Sequence, residues 1–148
     1  MLSFAAVRHA YGARAVLDGL TLDVAPGRVV GLIGPSGCGK TTTLLLAAGL
    51  LACQGGRLDN RFRRTALVFQ EPRLLPWRTA VDNAAFGLGA QGVGRGERRA
   101  RAARLLARLG LDAAQMRALP AALSGGLRQR VAIARALLVD PELLLMDE

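Results

Sequence analysis

A chain of 148 residues, 51% of them apolar, is long enough to bury one real core and suits a single domain. Cys38 and Cys53 are too few for a disulfide framework or a four-ligand zinc site, no opening apolar run reads as a signal peptide, and the longest apolar stretch, residues 44–52, is about half of the roughly 20 residues a bilayer span needs. The net charge of +9 invites a nucleic-acid reading, but all of the basic residues except Lys40 are Arg in a chain rich in Ala, Gly and Leu, which reads as a coding bias, so a cytoplasmic protein with no nucleic-acid partner is expected.

In chain order, Leu20, Leu22 and Val24 alternate with Thr21 and Asp23 and then meet Pro26 and Gly27, which predicts a half-buried strand and a tight turn. Residues 29–33 show no alternation and predict a strand buried on both faces. A glycine-rich loop follows, then a helix over residues 41–49. A short apolar strand over residues 66–69 ends at Gln70. Beyond it helical signals dominate, with a start at Thr79, a glycine-rich surface link over residues 87–96, a basic helix within residues 95–111 and a third helix over residues 127–138. In the basic helix Ala102, Leu105, Leu106 and Leu109 form one stripe, while Arg98, Arg101, Arg104 and Arg108 lie largely away from it on a solvated face. His9, the only histidine, reads as a surface residue. Strands, then a helical insertion, then a last strand at Leu143 argue an α/β core carrying a helical subdomain.

Gly34, Pro35, Ser36, Gly37, Cys38, Gly39, Lys40 and Thr41 spell G-x-x-x-x-G-K-[ST] between a predicted strand and a predicted helix, a strong phosphate-loop signal. The chemistry needs these types: glycines let backbone N–H groups turn onto phosphate oxygens, a helix N-terminus favours the anion, Lys40 reaches the β and γ phosphates, and Thr41 offers a hydroxyl to Mg²⁺. An ordinary glycine-rich turn would not require the single lysine at that place. Cys38, inside this loop and near Lys40, is expected to be a reactive thiol. At the chain's other end Asp147 and Glu148 close an apolar strand, the first suited to hold Mg²⁺ directly or through water and the second to accept a proton from attacking water. Acids at a strand end are common in themselves; beside a phosphate loop they read as the second half of one site.

LSGGLRQR, residues 123–130, precedes the last strand and offers a hydroxyl and bare N–H groups at a helix N-terminus, a second anion site. With this motif the chain resembles the ATP-binding-cassette (ABC) ATPases over essentially its whole length. The resemblance implies a P-loop NTPase core, residues 1–72 and 139–148, with an antiparallel β edge and an inserted helical subdomain, residues 73–138. It implies that Ser124, Gly125, Gly126 and Gln129 complete the nucleotide pocket of a second copy facing head to tail, that Tyr11 stacks on adenine, that Thr42 joins the phosphate loop in holding ATP, and that Gln70 senses Mg²⁺ and the γ-phosphate. A core or edge tyrosine and a strand-end cap are the plain alternatives for Tyr11 and Gln70. Leu75-Pro76-Trp77 resembles importer ATPases for nitrate, aliphatic sulfonates and taurine, with Trp77 either a core anchor or a contact to a permease. The implied partners are the second copy, an integral membrane permease at residues 70–77 and, indirectly, a solute-binding protein, with the subunit peripheral on the inner face of the cell membrane.

Family members continue past the acidic pair with a partner-contacting loop, a further strand and a histidine on the γ-phosphate, and His9 matches none of these. The expectation is that the C-terminal part of the core is missing, that a central slot of the sheet stays unfilled, where unpaired backbone is costly, and that nucleotide binding and turnover are weak. Two other readings are a catalytically impaired fragment and a soluble ABC ATPase acting on nucleic acid or ribosomes. Relatives that act on chromosomes carry a long coiled coil between glutamine and signature, and residues 71–122 here lack sustained heptads.

Overall fold

The computed structural model describes residues 1–147, so the proposed base Glu148 lies outside the described residues. Strand β1 (Leu2–Tyr11) is the centre of an antiparallel sheet in the order β2-β1-β3, flanked by β2 (Arg14–Val24) and β3 (Gly55–Asn60). A second sheet pairs β4 (Thr65–Val68) with β5 (Leu143–Met146) in parallel, Thr65 opposite Leu143 and Val68 opposite Met146.

Along β1 the buried positions change phase. Leu2 and Phe4 point inward, then the register slips on both sides, Ala6 adopts a left-handed φ of 49° and its N–H donates to Thr21 Oγ1 at 3.1 Å, and the buried positions become Val7 and His9. A bulge does this because one extra residue shifts a period-two pattern by one. Strand β3 can follow the bulge only with glycine at its second position, since a methyl group on Gly56 would lie 2.2 Å from the Ala6 carbonyl oxygen. His9, expected at the surface, is only 5% exposed: the bulge turns it onto the inward face.

Helix α1 (Lys40–Ala47) packs Leu46 and Ala47 against Phe4, Val7, Leu17, Leu143 and Leu145, joining the two sheets in one core. A second core lies among α2 (Ala80–Ala84), α3 (Phe86–Ala90), α4 (Arg95–Arg108), α5 (Ala113–Arg117) and α6 (Gly125–Leu137), built on Ala84, Ala102, Leu106, Leu123 and Val131. The starts are set by caps: Thr79 accepts from the Asp82 N–H, Asp112 and Gln115 form a reciprocal capping box, and Ser124 accepts from the Leu127 N–H. In α4, Ala102 and Leu106 are buried with Leu105 and Leu109 packed beside them, as the stripe predicts. No helix of the described residues is long and apolar enough to cross a membrane.

Two further expectations are corrected. Residues 29–33 form no strand, and Val29 and Ile33 are fully exposed. An apolar run becomes a buried strand only where neighbours pair with its backbone, and among the described residues none does. Between that segment and β5 an open groove of about 600 Å³ is lined by Phe4, Val30, Leu32, Leu44 and Leu143. Part of the glycine-rich stretch after residue 86 is helical rather than a free link: it forms α3, where Gly87 lies so close to Val139 that a methyl group there would meet Cγ1 at 2.6 Å.

Candidate functional site

The loop from Gly34 runs from the unpaired segment into α1 through Gly39, whose φ of 99° turns the backbone into the helix. A side chain is excluded there twice over, by that left-handed φ and by Leu17 Cδ2, which a methyl group would meet at 2.7 Å. The first helical residue is Lys40, so the free N–H groups of α1 and the one lysine of the chain sit at the same place. Its Nζ donates to the carbonyl oxygens of Gly34 at 2.8 Å and Pro35 at 3.0 Å, folding the cation back over its own loop. Cys38 is exposed, with Sγ 3.9 Å from that Nζ.

Thr41, one residue into the helix, donates its hydroxyl to both carboxylate oxygens of Asp147 at 3.1 and 3.0 Å. Asp147 follows β5, and its backbone N–H donates to the Val68 carbonyl at 3.0 Å, so the parallel pairing of β4 with β5 sets the height of the carboxylate. The pair presents hard oxygen donors, the chemistry Mg²⁺ takes when phosphate and water complete its shell. Among the described residues there is no group of three or more His, Cys, Asp or Glu that could hold a metal ion.

Tyr11, Ser36, Gly37, Gly39, Lys40, Thr41, Thr42, Gln70 and Asp147 line one cavity of about 440 Å³, with Arg14 and Val16 completing its wall. Of the expected nucleotide set, Gly34, Pro35 and Cys38 stand outside this lining. Tyr11 is half exposed, and the His9 ring meets it edge to face with centroids 4.9 Å apart. That contact supports the phenol from behind.

Ser124, Gly125, Gly126 and Gln129 do not line the cavity. They begin α6, where Ser124 caps the first turn and the two glycines are exposed. Arg135, on the same helix, donates from Nη2 to the Pro72 carbonyl at 2.8 Å and from Nη1 to the Arg73 carbonyl at 2.9 Å, which fastens α6 to the backbone just past Gln70. Burial pushes the Arg135 pKa below the usual arginine value. Arg73 itself has a left-handed φ of 44° and stacks its guanidinium over Phe69 at 4.1 Å. Sequence reasoning missed Arg135 and Arg14. The first carries no local signal, while the second was readable from Gly12 and Ala13 as a two-residue hairpin turn that sets Arg14 opposite Tyr11.

Trp77 is 72% exposed, which removes its reading as a core anchor. Its loop is held from beneath by Asn83, fully buried, whose Oδ1 accepts from the Leu75 N–H at 2.7 Å and whose Nδ2 donates to the carbonyls of Leu75, Arg78 and Thr79 at 2.9 to 3.1 Å.

A family model described as ABC transporter matches residues 17–148. The aliphatic sulfonates import ATP-binding protein SsuB 2 of Burkholderia cenocepacia is 45% identical over 155 residues, which cover all of this chain and 56% of that protein. The Fe(3+) ions import ATP-binding protein FbpC of Rhizobium etli is 44% identical over 157 residues, covering 99% of this chain and 44% of that protein. The chain thus spans about half the length of the curated relatives it matches. The dimeric structure of a post-hydrolysis state of the ATP-binding cassette MJ0796, bound to ADP and Pi, has a TM-score of 0.92 to this chain at 30% identity, covering all of it and 74% of that chain.

Proposed function

The chain belongs to the ABC transporter family, and from that premise we propose that it is an ATP-hydrolysing subunit, or the nucleotide-binding part of one, that powers import of a small solute through a separate membrane permease. The observation that carries this is the single cavity where Lys40, the start of α1, the Thr41–Asp147 pair, Gln70 and Tyr11 converge. Phosphates fit its basic, N–H-rich floor, and an adenine fits the phenol at its rim.

Lys40 exchanges its two loop carbonyls for phosphate oxygens when nucleotide enters, and with the backbone N–H groups of the loop it holds charge that builds on the β and γ phosphates. Thr41 and Asp147, with Gln70 beside them, are the residues that would hold Mg²⁺, which when bound neutralises phosphate charge. Glu148 takes the proton of the attacking water. Ser124, Gly125, Gly126 and Gln129 serve the pocket of a second copy across a head-to-tail dimer. Their position outside this chain's own cavity supports that role, and so does the dimeric state of the related cassette. The core at residues 1–72 and 139–148 and the helical subdomain at residues 73–138 then separate the two halves of each composite site.

The solute is an aliphatic sulfonate or a similar small oxyanion, an assignment supported by the names of several relatives and by Leu75-Pro76-Trp77. A solute-binding protein delivers it to the permease, and the subunit works at the inner face of the cell membrane. Equilibrium binding of MgATP to the chain and to Lys40→Ala tests the nucleotide reading: equal binding by the two, or none by either, would refute it. Uptake of a labelled alkanesulfonate by cells carrying Lys40→Ala tests the transport reading.

A further inference from the structure

We propose that Arg14 is a nucleotide-binding residue that contacts the polyphosphate of the bound nucleotide, a role that rests on the nucleotide reading of the cavity. Three observations place it. Arg14 is the direct register partner of Tyr11 across the turn at Gly12 and Ala13, and partners opposite each other in an antiparallel pair project on the same face, so the guanidinium enters the cavity beside the phenol. It crosses toward the phosphate loop, where a methyl group on Gly37 would lie 3.5 Å from its Nη2. Among the described residues no carboxylate pairs with it.

A guanidinium aimed at the middle of a phosphate loop, with no acid to neutralise it, is unusual unless an anion joins them. Its planar fork suits phosphate oxygens. Lys40 rises from the helix side of the loop, while Arg14 reaches the loop from the hairpin. The two cations would clasp the polyphosphate from opposite sides. The hairpin thus supplies both ends of the ligand's recognition, a ring for the base and a cation for the phosphates.

The test is equilibrium binding of MgATP, and separately of inorganic tripolyphosphate, to the unmodified chain and to Arg14→Ala, Arg14→Lys, Tyr11→Ala and Lys40→Ala. Arg14→Ala should weaken both ligands alike, by roughly tenfold. Arg14→Lys should restore part of that loss, and Tyr11→Ala should weaken ATP while sparing tripolyphosphate. Arg14→Ala leaving both affinities unchanged, or weakening ATP alone, would overturn the proposal, the second outcome moving Arg14 to the base or ribose. If Lys40→Ala binds both ligands as well as the unmodified chain, the nucleotide reading itself falls and takes the Arg14 role with it. Arg14 is exposed, so unfolding is not expected to confuse the result, and thermal melts of each variant check it.

Discussion

The hydroxyl of Thr41 donates to both oxygens of the Asp147 carboxylate, 106 residues away, and so ties the first turn of α1 to the end of β5. The contact is solvent-exposed, so its loss should cost less than about 1 kcal/mol of folding stability. Its worth lies in the oxygen donors it aligns. Asp147→Asn should leave the melting temperature nearly unchanged and remove most of the gain that Mg²⁺ gives to ATP binding, measured as the ratio of affinities with the metal and with a chelator. An unchanged ratio would detach Asp147 from the metal.

Cys38 should be alkylated rapidly by iodoacetamide and protected by MgATP, because its exposed sulfur lies 3.9 Å from the Lys40 ammonium inside the same loop. Peptide mapping after brief labelling reads both cysteines at once. Cys53, also exposed, lies outside the phosphate loop, between α1 and β3, and serves as the internal control whose labelling ATP leaves alone.

Asn83→Ala should destabilise the chain by about 2–3 kcal/mol, since it strands a buried N–H and several carbonyls that the amide now satisfies. For a chain of this size that is a fall in Tm of roughly 5–10 °C. Calorimetry gives the number directly. Faster proteolysis within residues 75–79 should accompany it, as the loop loses its support.

Trp77→Ala should change stability by no more than about 0.5 kcal/mol, because the indole is 72% exposed. If a permease docks at this loop as proposed, the effect should appear when the chain is recovered with membranes containing that permease, as a smaller membrane-bound fraction with ATP affinity unaltered. A large drop in Tm would return Trp77 to a structural role.

The phosphate loop, the last strand and the helix starts at Thr79 and Ser124 were legible because each is written locally, in a short motif or a capping side chain. The helical stripe in α4 was legible for the same reason. Strand β3 was not: Gly55, Gly56, Arg57 and Asp59 have poor strand propensity, and the segment is a strand only because β1 pairs with it. Residues 29–33 fail in the opposite direction, with strong propensity and no partner among the described residues. Pairing is a property of two segments, and single-segment patterns do not carry it. Of the site, Lys40, Thr41 and Asp147 could be named from spacing alone, whereas Arg14 needed the hairpin register and Arg135 needed the packing of α6 on the loop past Gln70.

The bulge at Ala6 gives the rim of the cavity a distant point of failure. Phe4 and Tyr11 stand at an odd offset along the strand, yet the phase change lets one face of the strand bury the first in the core and present the second to the cavity. That geometry is permitted by the bare backbone of Gly56, on a strand that lines no part of the cavity. A spontaneous Gly56→Val change would press on the Ala6 carbonyl, straighten the strand and swing the phenol and its cationic partner toward solvent. In a screen for lost nucleotide binding, such an allele would surface among the loop and strand-end mutants, though its residue lines no part of the cavity.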